Sequence, residues 1–223
     1  MQIWKNFGKL LVSEDKEIDK ARTIQNIAVF GFADAKENGP LYKEVFAVTK
    51  ALAKAGYTII DGGGPGVMRA ATLGAKSEGG QVIGVTLYPK DMSHFEGRDT
   101  LNTFDEEVRT ENYVERTLTL LREGQVYIVF NGGTGTVSEF AMAWGMARLY
   151  FGHHKPLILY GNFWKKIIKV FKENMKIRPE ELKVYKVASS PSQVLKYIKD
   201  FEQEIEEGRL KDTKAVKSDF TIT

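Results

Sequence analysis

The sequence predicts an α/β fold of one domain, a doubly wound parallel sheet with helices on both faces. Three observations carry the prediction. Short apolar runs alternate with segments of helical periodicity along most of the chain. Two of those runs end in glycine-rich turns that lead straight into helices: Asp61-Gly62-Gly63-Gly64-Pro65-Gly66-Val67-Met68, and Asn131-Gly132-Gly133-Thr134-Gly135-Thr136-Val137-Ser138-Glu139. A chain of 223 residues that is 43% hydrophobic is long enough to bury one full core.

Each element follows from its own pattern. Residues 26–30 read as a strand, and Pro40 opens a helix whose Leu41, Val45, Val48, Leu52 and Ala55 repeat at helical spacing before Gly56 ends it. Residues 57–60 lead into the first glycine turn. Pro65 suits the first turn of the next helix, where its missing N–H costs nothing, and Ala70, Ala71, Leu73 and Ala75 continue it. Residues 81–87 lack alternation and read as a strand buried on both faces. Residues 88–110 are long, polar and aperiodic, so they are expected to form a loop acting as a lid or a base-recognition segment. Glu106 and Glu107 read there as a solvated pair, and His94 as a surface residue.

A helix over 111–123 precedes the strand at Val126, and the helix after the second glycine turn runs to about residue 150. Then come a strand over 155–160, a helix over 163–174, a short strand over 183–187, and a helix from Pro191 to about 207 capped by Ser190. Residues 1–22 are expected to form an amphipathic extension, 23–207 the single α/β domain, and 208–223 a C-terminal tail.

Composition narrows the function. With no cysteine, the chain has no disulfide, no thiolate nucleophile and no cysteine-held metal. It carries no apolar run near the ~20 residues of a membrane helix, and Met1-Gln2-Ile3-Trp4-Lys5 lacks a signal-peptide core, so a cytoplasmic protein without membrane contact is expected. Lys+Arg at 32 nearly balance Asp+Glu at 29, which argues against a nucleic-acid partner. His153-His154 read as complementing a helix C-terminus rather than holding a metal.

The glycine turns carry the chemistry. In an open parallel sheet both lie at carboxyl ends of strands, where ligands bind. Gly132, Gly133 and Gly135 let backbone N–H groups turn inward, Thr134 and Thr136 add hydroxyls, and the helix start adds orphan N–H groups and positive potential. A phosphate is the natural occupant. Glu139 falls about one turn into that helix, at the mouth of the same site. No Gly-Lys-Ser/Thr follows either turn, which excludes a P-loop. Val67 and Ser138 stand where a dinucleotide fingerprint needs its third glycine, which disfavours a nicotinamide dehydrogenase.

The paired motifs, in this order, resemble the LOG (Lonely Guy) family, also labelled "possible lysine decarboxylase". The family pattern Pro-Gly-Gly-x-Gly-Thr-x-x-Glu is met except for its proline, which is Asn131 here, and an arginine, Arg116, stands 16 positions before Gly132 as in the family. The resemblance implies a Rossmann-like fold and hydrolysis of the N-glycosidic bond of a nucleoside 5′-monophosphate, of the AMP or cytokinin riboside monophosphate type, without cofactor or metal. It implies that Arg116 and Glu139 are catalytic and that Gly132, Gly133, Thr134, Gly135 and Thr136 hold the phosphate. Gly31, Gly62, Gly63, Gly64, Gly66 and Met68 would complete the nucleotide site.

True lysine decarboxylation is disfavoured, because it needs an electron sink such as pyridoxal phosphate and no lysine stands beside either turn for its Schiff base. The alternative is a non-catalytic carrier of a nucleotide or of molybdenum cofactor. For Arg116 and Glu139 the plain alternative is a surface or inter-helix salt bridge. The family's Met-His-x-Arg-Lys is Tyr113-Val114-Glu115-Arg116-Thr117 here, its Gly-Ser-Ser is Gly31-Phe32-Ala33, and Arg69 follows Met68. These departures bear on base recognition more than on the phosphate site. A homodimer or larger homo-oligomer is also expected, since the helix carrying Phe140, Ala141, Met142, Ala143, Trp144, Met146, Ala147 and Leu149 is apolar nearly all round. Trp144, Met142 and Met146 read as core or subunit-interface residues.

Overall fold

The structure, a computed structural model, describes residues 23–88, 97–149 and 155–207. The proposed extension and tail, His94 and His153-His154 lie outside these residues. Among the described residues, seven strands form one parallel sheet: β1 (Asn26–Phe30), β2 (Thr58–Asp61), β3 (Val82–Leu87), β4 (Glu106–Thr110), β5 (Val126–Val129), β6 (Leu157–Tyr160) and β7 (Tyr185–Ala188). Their order is β4-β3-β2-β1-β5-β6-β7, and every neighbouring pair is parallel. Among the described residues five α-helices lie between strands, α1 (Pro40–Lys54), α2 (Val67–Lys76), α3 (Tyr113–Glu123), α4 (Thr134–Leu149) and α5 (Phe163–Asn174), and α6 (Pro191–Glu206) follows β7.

Strand alternation sorts the core into two layers. Ile27 and Val29 of β1 pack with α1, α2 and α6 residues such as Val45, Leu52, Ala70 and Ile198. Ala28 and Phe30 point the other way, among Leu120, Phe140, Ala143 and Ile168 from α3, α4 and α5. The chain winds outward from β1 to β4, then crosses to β5 on the other side of β1. The crevice at that reversal, between the carboxyl ends of β1 and β5, is where such sheets bind ligands.

The segment 88–110 is not loop throughout, because it ends in β4, paired with β3 from Ile83↔Glu106 to Leu87↔Thr110. An edge strand tolerates charge, and Glu106 is exposed, so its sequence shows neither an apolar run nor clean alternation. Helix α2 starts at Val67 rather than Pro65, because Gly66 takes φ 63° and turns the chain into the helix. A Cβ on Gly66 would stand 2.2 Å from the Ala33 carbonyl oxygen. Gly66→Ala is therefore expected to cost about 1–3 kcal/mol in backbone conformation, with the clash added. A denaturant midpoint equal to that of the wild type would contradict this.

Helix α4 is only partly wrapped by protein. Phe140, Ala143 and Ala147 are buried, and the Trp144 indole N–H donates to the Glu181 carbonyl at 2.7 Å. Val137, Ala141 and Gly145 stay exposed along one face. Among the described residues no helix is long and apolar enough to cross a membrane.

Candidate active site

The two glycine turns face each other across a cavity of about 460 Å³ at the β1–β5 crevice, within the usual range for small-molecule sites. Gly31, Gly62, Gly64, Met68, Arg116, Gly133, Thr134, Gly135, Thr136 and Glu139 line it. Gly63, Gly66 and Gly132 shape the walls from behind. A Cβ on Gly132 would lie 2.1 Å from Thr136 Oγ1, so this glycine makes room for the threonine.

The second turn is the open one. Helix α4 begins there, with the Val137 N–H donating to the Gly133 carbonyl at 3.0 Å. The N–H groups of the first turn that follow have no acceptor within their own helix, and the cavity lies in front of them. A Cβ on Gly133 would meet nothing within 4 Å. That combination suits a phosphate.

The polar groups of the first turn are engaged by the protein itself. The Gly63 N–H donates to Asp61 Oδ1 at 2.8 Å and the Gly64 N–H meets Met68 Sδ at 3.3 Å. Asn102 Nδ2 donates to both the Gly63 and Gly64 carbonyls at 2.9 Å, and the Asp99 N–H reaches the Gly63 carbonyl at 2.9 Å. The first turn is a rigid wall, and the anion-binding geometry belongs to the second.

Arg116 ties the first wall to α3. Its Nη2 donates to the Gly62 carbonyl at 2.8 Å and its Nε to the Val85 carbonyl at 3.1 Å. A Cβ on Gly62 would stand 1.6 Å from Nη2, so glycine at 62 is what admits the guanidinium. Nη1 faces Glu139 Oε1 at 4.0 Å, with both side chains under 10% exposed. Glu139 is pushed up from the ordinary carboxylate value to about 7 by burial, which the Arg116 charge offsets only in part. The arrangement is thus a buried pair at the cavity floor rather than a surface salt bridge.

Three contributors are not among the residues the sequence singled out. Asp61 is fully buried, accepts from Gly63 and from Thr72 Oγ1 at 2.8 Å, and is pushed up to about 6 by burial against those hydrogen bonds and Arg116. An acid at the end of a buried strand, just before glycines, was the available signal. Asn102 belongs to the segment expected to be loop. Tyr113 lines the cavity and its hydroxyl pairs with Ser138 Oγ at 2.9 Å, bridging α3 and α4.

Glu107 is not part of a solvated pair. It accepts hydrogen bonds from Thr86 Oγ1 at 2.8 Å, Tyr88 OH at 3.1 Å and Arg98 Nε at 3.0 Å. Burial alone would raise its pKa, but these donors hold it below the usual value. Arg98 also lies over the Phe104 ring at 5.0 Å. This network fastens the stretch around Asn102 against the first turn. Arg69 faces away into ion pairs with Glu37 and, at 3.6 Å, Asp99.

Comparison with known proteins places the chain in a family. An uncharacterised protein from Archaeoglobus fulgidus is 29% identical over 168 residues, covering 75% of this chain and 97% of that one. A cytokinin riboside 5′-monophosphate phosphoribohydrolase from Mycobacterium tuberculosis is 33% identical over 121 residues, covering 52% of this chain and 62% of its own length. Among solved structures, a molybdenum cofactor binding protein from Rippkaea orientalis shares the fold with TM-score 0.59 and 24% identity, covering 80% of this chain and 97% of that one. DNA processing protein A from Helicobacter pylori, solved for its single-stranded DNA binding mode, shares the fold at TM-score 0.53 and 13% identity, covering 79% of this chain and 80% of that one. At such identities the likeness concerns the fold, and the expectation against a nucleic-acid partner gains no support from it. The SLOG cluster4 family model matches residues 24–189, and the chain belongs to that family.

Proposed function

We propose that this protein hydrolyses the N-glycosidic bond of a nucleoside 5′-monophosphate, releasing free base and ribose 5-phosphate. One observation carries the reading: an open helix N-terminus and a buried carboxylate facing a fixed guanidinium share a single cavity. The 5′-phosphate sits on the N–H groups and hydroxyls of residues 134–136 at the start of α4. Glu139, on the same helix, then faces the ribose. As C1′ loses the base it gains positive charge, and the ionised Glu139 stabilises that charge and takes the proton of the attacking water. The departing base carries away the electron pair of the broken bond and takes a proton from solvent, and Glu139 gives the proton of the attacking water back to solvent, so the protons balance over the turnover. Arg116, held by the Gly62 and Val85 carbonyls, is a stationary positive charge that keeps Glu139 available as an anion near neutral pH.

The activity borne by the Mycobacterium tuberculosis relative supports the reaction class. The test is incubation with a panel of nucleoside 5′-monophosphates, following free base and ribose 5-phosphate by chromatography. Binding of AMP with no base released from any nucleotide would reject the hydrolase and leave the carrier reading, of a nucleotide or of molybdenum cofactor. A phosphate-soaked crystal with nothing bound at residues 133–136 would reject both.

The same helix supports a homodimer. Val137 is 50% exposed and shares its face of α4 with the exposed Ala141 and Gly145, a smooth apolar strip next to the phosphate turn. Light scattering is expected to give twice the chain mass at micromolar concentration, and a monomer there would refute the assembly.

A further inference from the structure

Phe32 is 41% exposed, whereas the neighbouring aromatics Phe30, Tyr127 and Phe130 are at most 2% exposed. Leaving a phenyl ring in water forgoes the burial that other core aromatics gain, so its position asks for a partner. It lies at the carboxyl end of β1, where the strand order reverses, and it lines the same cavity as the α4 N-terminus.

Its backbone is fixed from both sides. The Phe32 N–H donates to the Asn131 carbonyl at 3.1 Å, and its carbonyl accepts from the Val67 N–H at 2.9 Å. Glycine on either flank permits this squeeze: a Cβ on Gly31 would meet Val67 Cγ1 at 2.6 Å, and one on Gly66 the Phe32 carbonyl oxygen at 2.5 Å. The ring is therefore carried on a backbone strapped to both glycine turns. Ala33, Met68 and Gly97 line the cavity with it, so the wall here is apolar, and the charged lining residues are Arg116 and Glu139. An exposed aromatic side chain on a fixed backbone, in a polar-ended, apolar-walled cavity, is complementary to a planar heterocycle attached to an anionic group.

We propose that Phe32 is a specificity-determining residue, the platform on which the base of the bound nucleotide stacks, so that the site selects a base-bearing sugar phosphate over a base-free one. This rests on the nucleotide reading given under Proposed function. The polar contacts of the phosphate turn are common to all such esters, and the discrimination comes from the ring.

The experiment is calorimetric titration with AMP, ribose 5-phosphate and inorganic phosphate in the Glu139→Gln background, which slows AMP cleavage. With Phe32 present, AMP is expected to bind about 10-fold or more tighter than ribose 5-phosphate, the scale of one base–aromatic stack. Adding Phe32→Ala should bring AMP down to the level of ribose 5-phosphate while leaving the latter unchanged, and Phe32→Trp should restore the gap. An AMP to ribose 5-phosphate ratio unchanged by Phe32→Ala overturns the proposal, as does an equal loss for both ligands. So does dissociation of a dimer with the ratio intact, which would assign the exposed ring to subunit contact. Tight ribose 5-phosphate binding without any gain for AMP overturns the stacking while the phosphate site stands. Failure of all three ligands overturns both readings, whereas AMP binding lost on Phe32→Ala in a protein that never releases base supports the stacking and rejects only the hydrolysis.

Discussion

Glu139→Gln is expected to lower turnover of a nucleoside 5′-monophosphate by roughly 10²-fold or more while AMP still binds. The glutamine keeps the shape at the cavity floor and leaves the phosphate turn untouched, but removes the charge that meets developing positive charge at C1′, a contact of the size usually lost with one preorganised group. The pH dependence gives a second signature. Glu139 sits at about 7 in the folded protein because of its burial, so wild-type kcat/KM should rise with pH through about 7 as the carboxylate ionises, and the variant should lack that limb.

Stability moves the other way. The folded protein keeps a proton on Glu139 that the unfolded chain has released between about 4.5 and about 7. Its contribution to stability is therefore fully present below that window and is lost as pH rises through it. Glu139→Gln should accordingly match the wild type near pH 4 and melt higher at pH 8. Full activity in the variant, or a melting temperature at pH 8 below that of the wild type, would sink the assignment of Glu139 as a buried ionisable catalyst.

What the sequence showed and what it hid divide along physical lines. β1, β2, β3 and β5 are buried on both sides, so their residues read as apolar runs bounded by turns. β4 was hidden because an edge strand carries Glu106, Glu107 and Arg109 without penalty. The motifs marked Gly62 as a site residue, and it does line the cavity. The reason it is glycine, however, lies 54 residues away in the Arg116 guanidinium. Asn102 was out of reach for the same cause: its partners are the backbone carbonyls of Gly63 and Gly64, 39 and 38 residues earlier, and no local pattern reports such a contact. Gly63 and Gly66 stood out as ligand glycines, yet they hold positive φ of 73° and 63° and shape the turn from behind.

Arg116→Ala is expected to damage both fold and turnover, and the pattern of the damage is diagnostic. Alanine strips donors from the Gly62 and Val85 carbonyls and leaves the buried Glu139 without the cation that partly offsets its burial. Removing one partner of a buried pair costs about 3–5 kcal/mol where the other group stays charged, and less where it takes up a proton instead. Glu139 would then climb further and stay protonated at neutral pH, so turnover should fall even where substrate still reaches the phosphate turn. Because this loss runs through Glu139, it should largely vanish when Glu139 is already glutamine: the double variant should turn over about as slowly as Glu139→Gln alone, not slower by the product of both factors. On the stability side, adding Glu139→Gln to Arg116→Ala should recover part of the lost melting temperature at pH 8, since the orphaned carboxylate is gone. A double-mutant cycle read by turnover and by thermal melting tests both expectations. Strictly multiplicative rate losses, or a double variant no more stable than Arg116→Ala at pH 8, would show that the two residues act independently and would dissolve the pair on which the proposed chemistry stands.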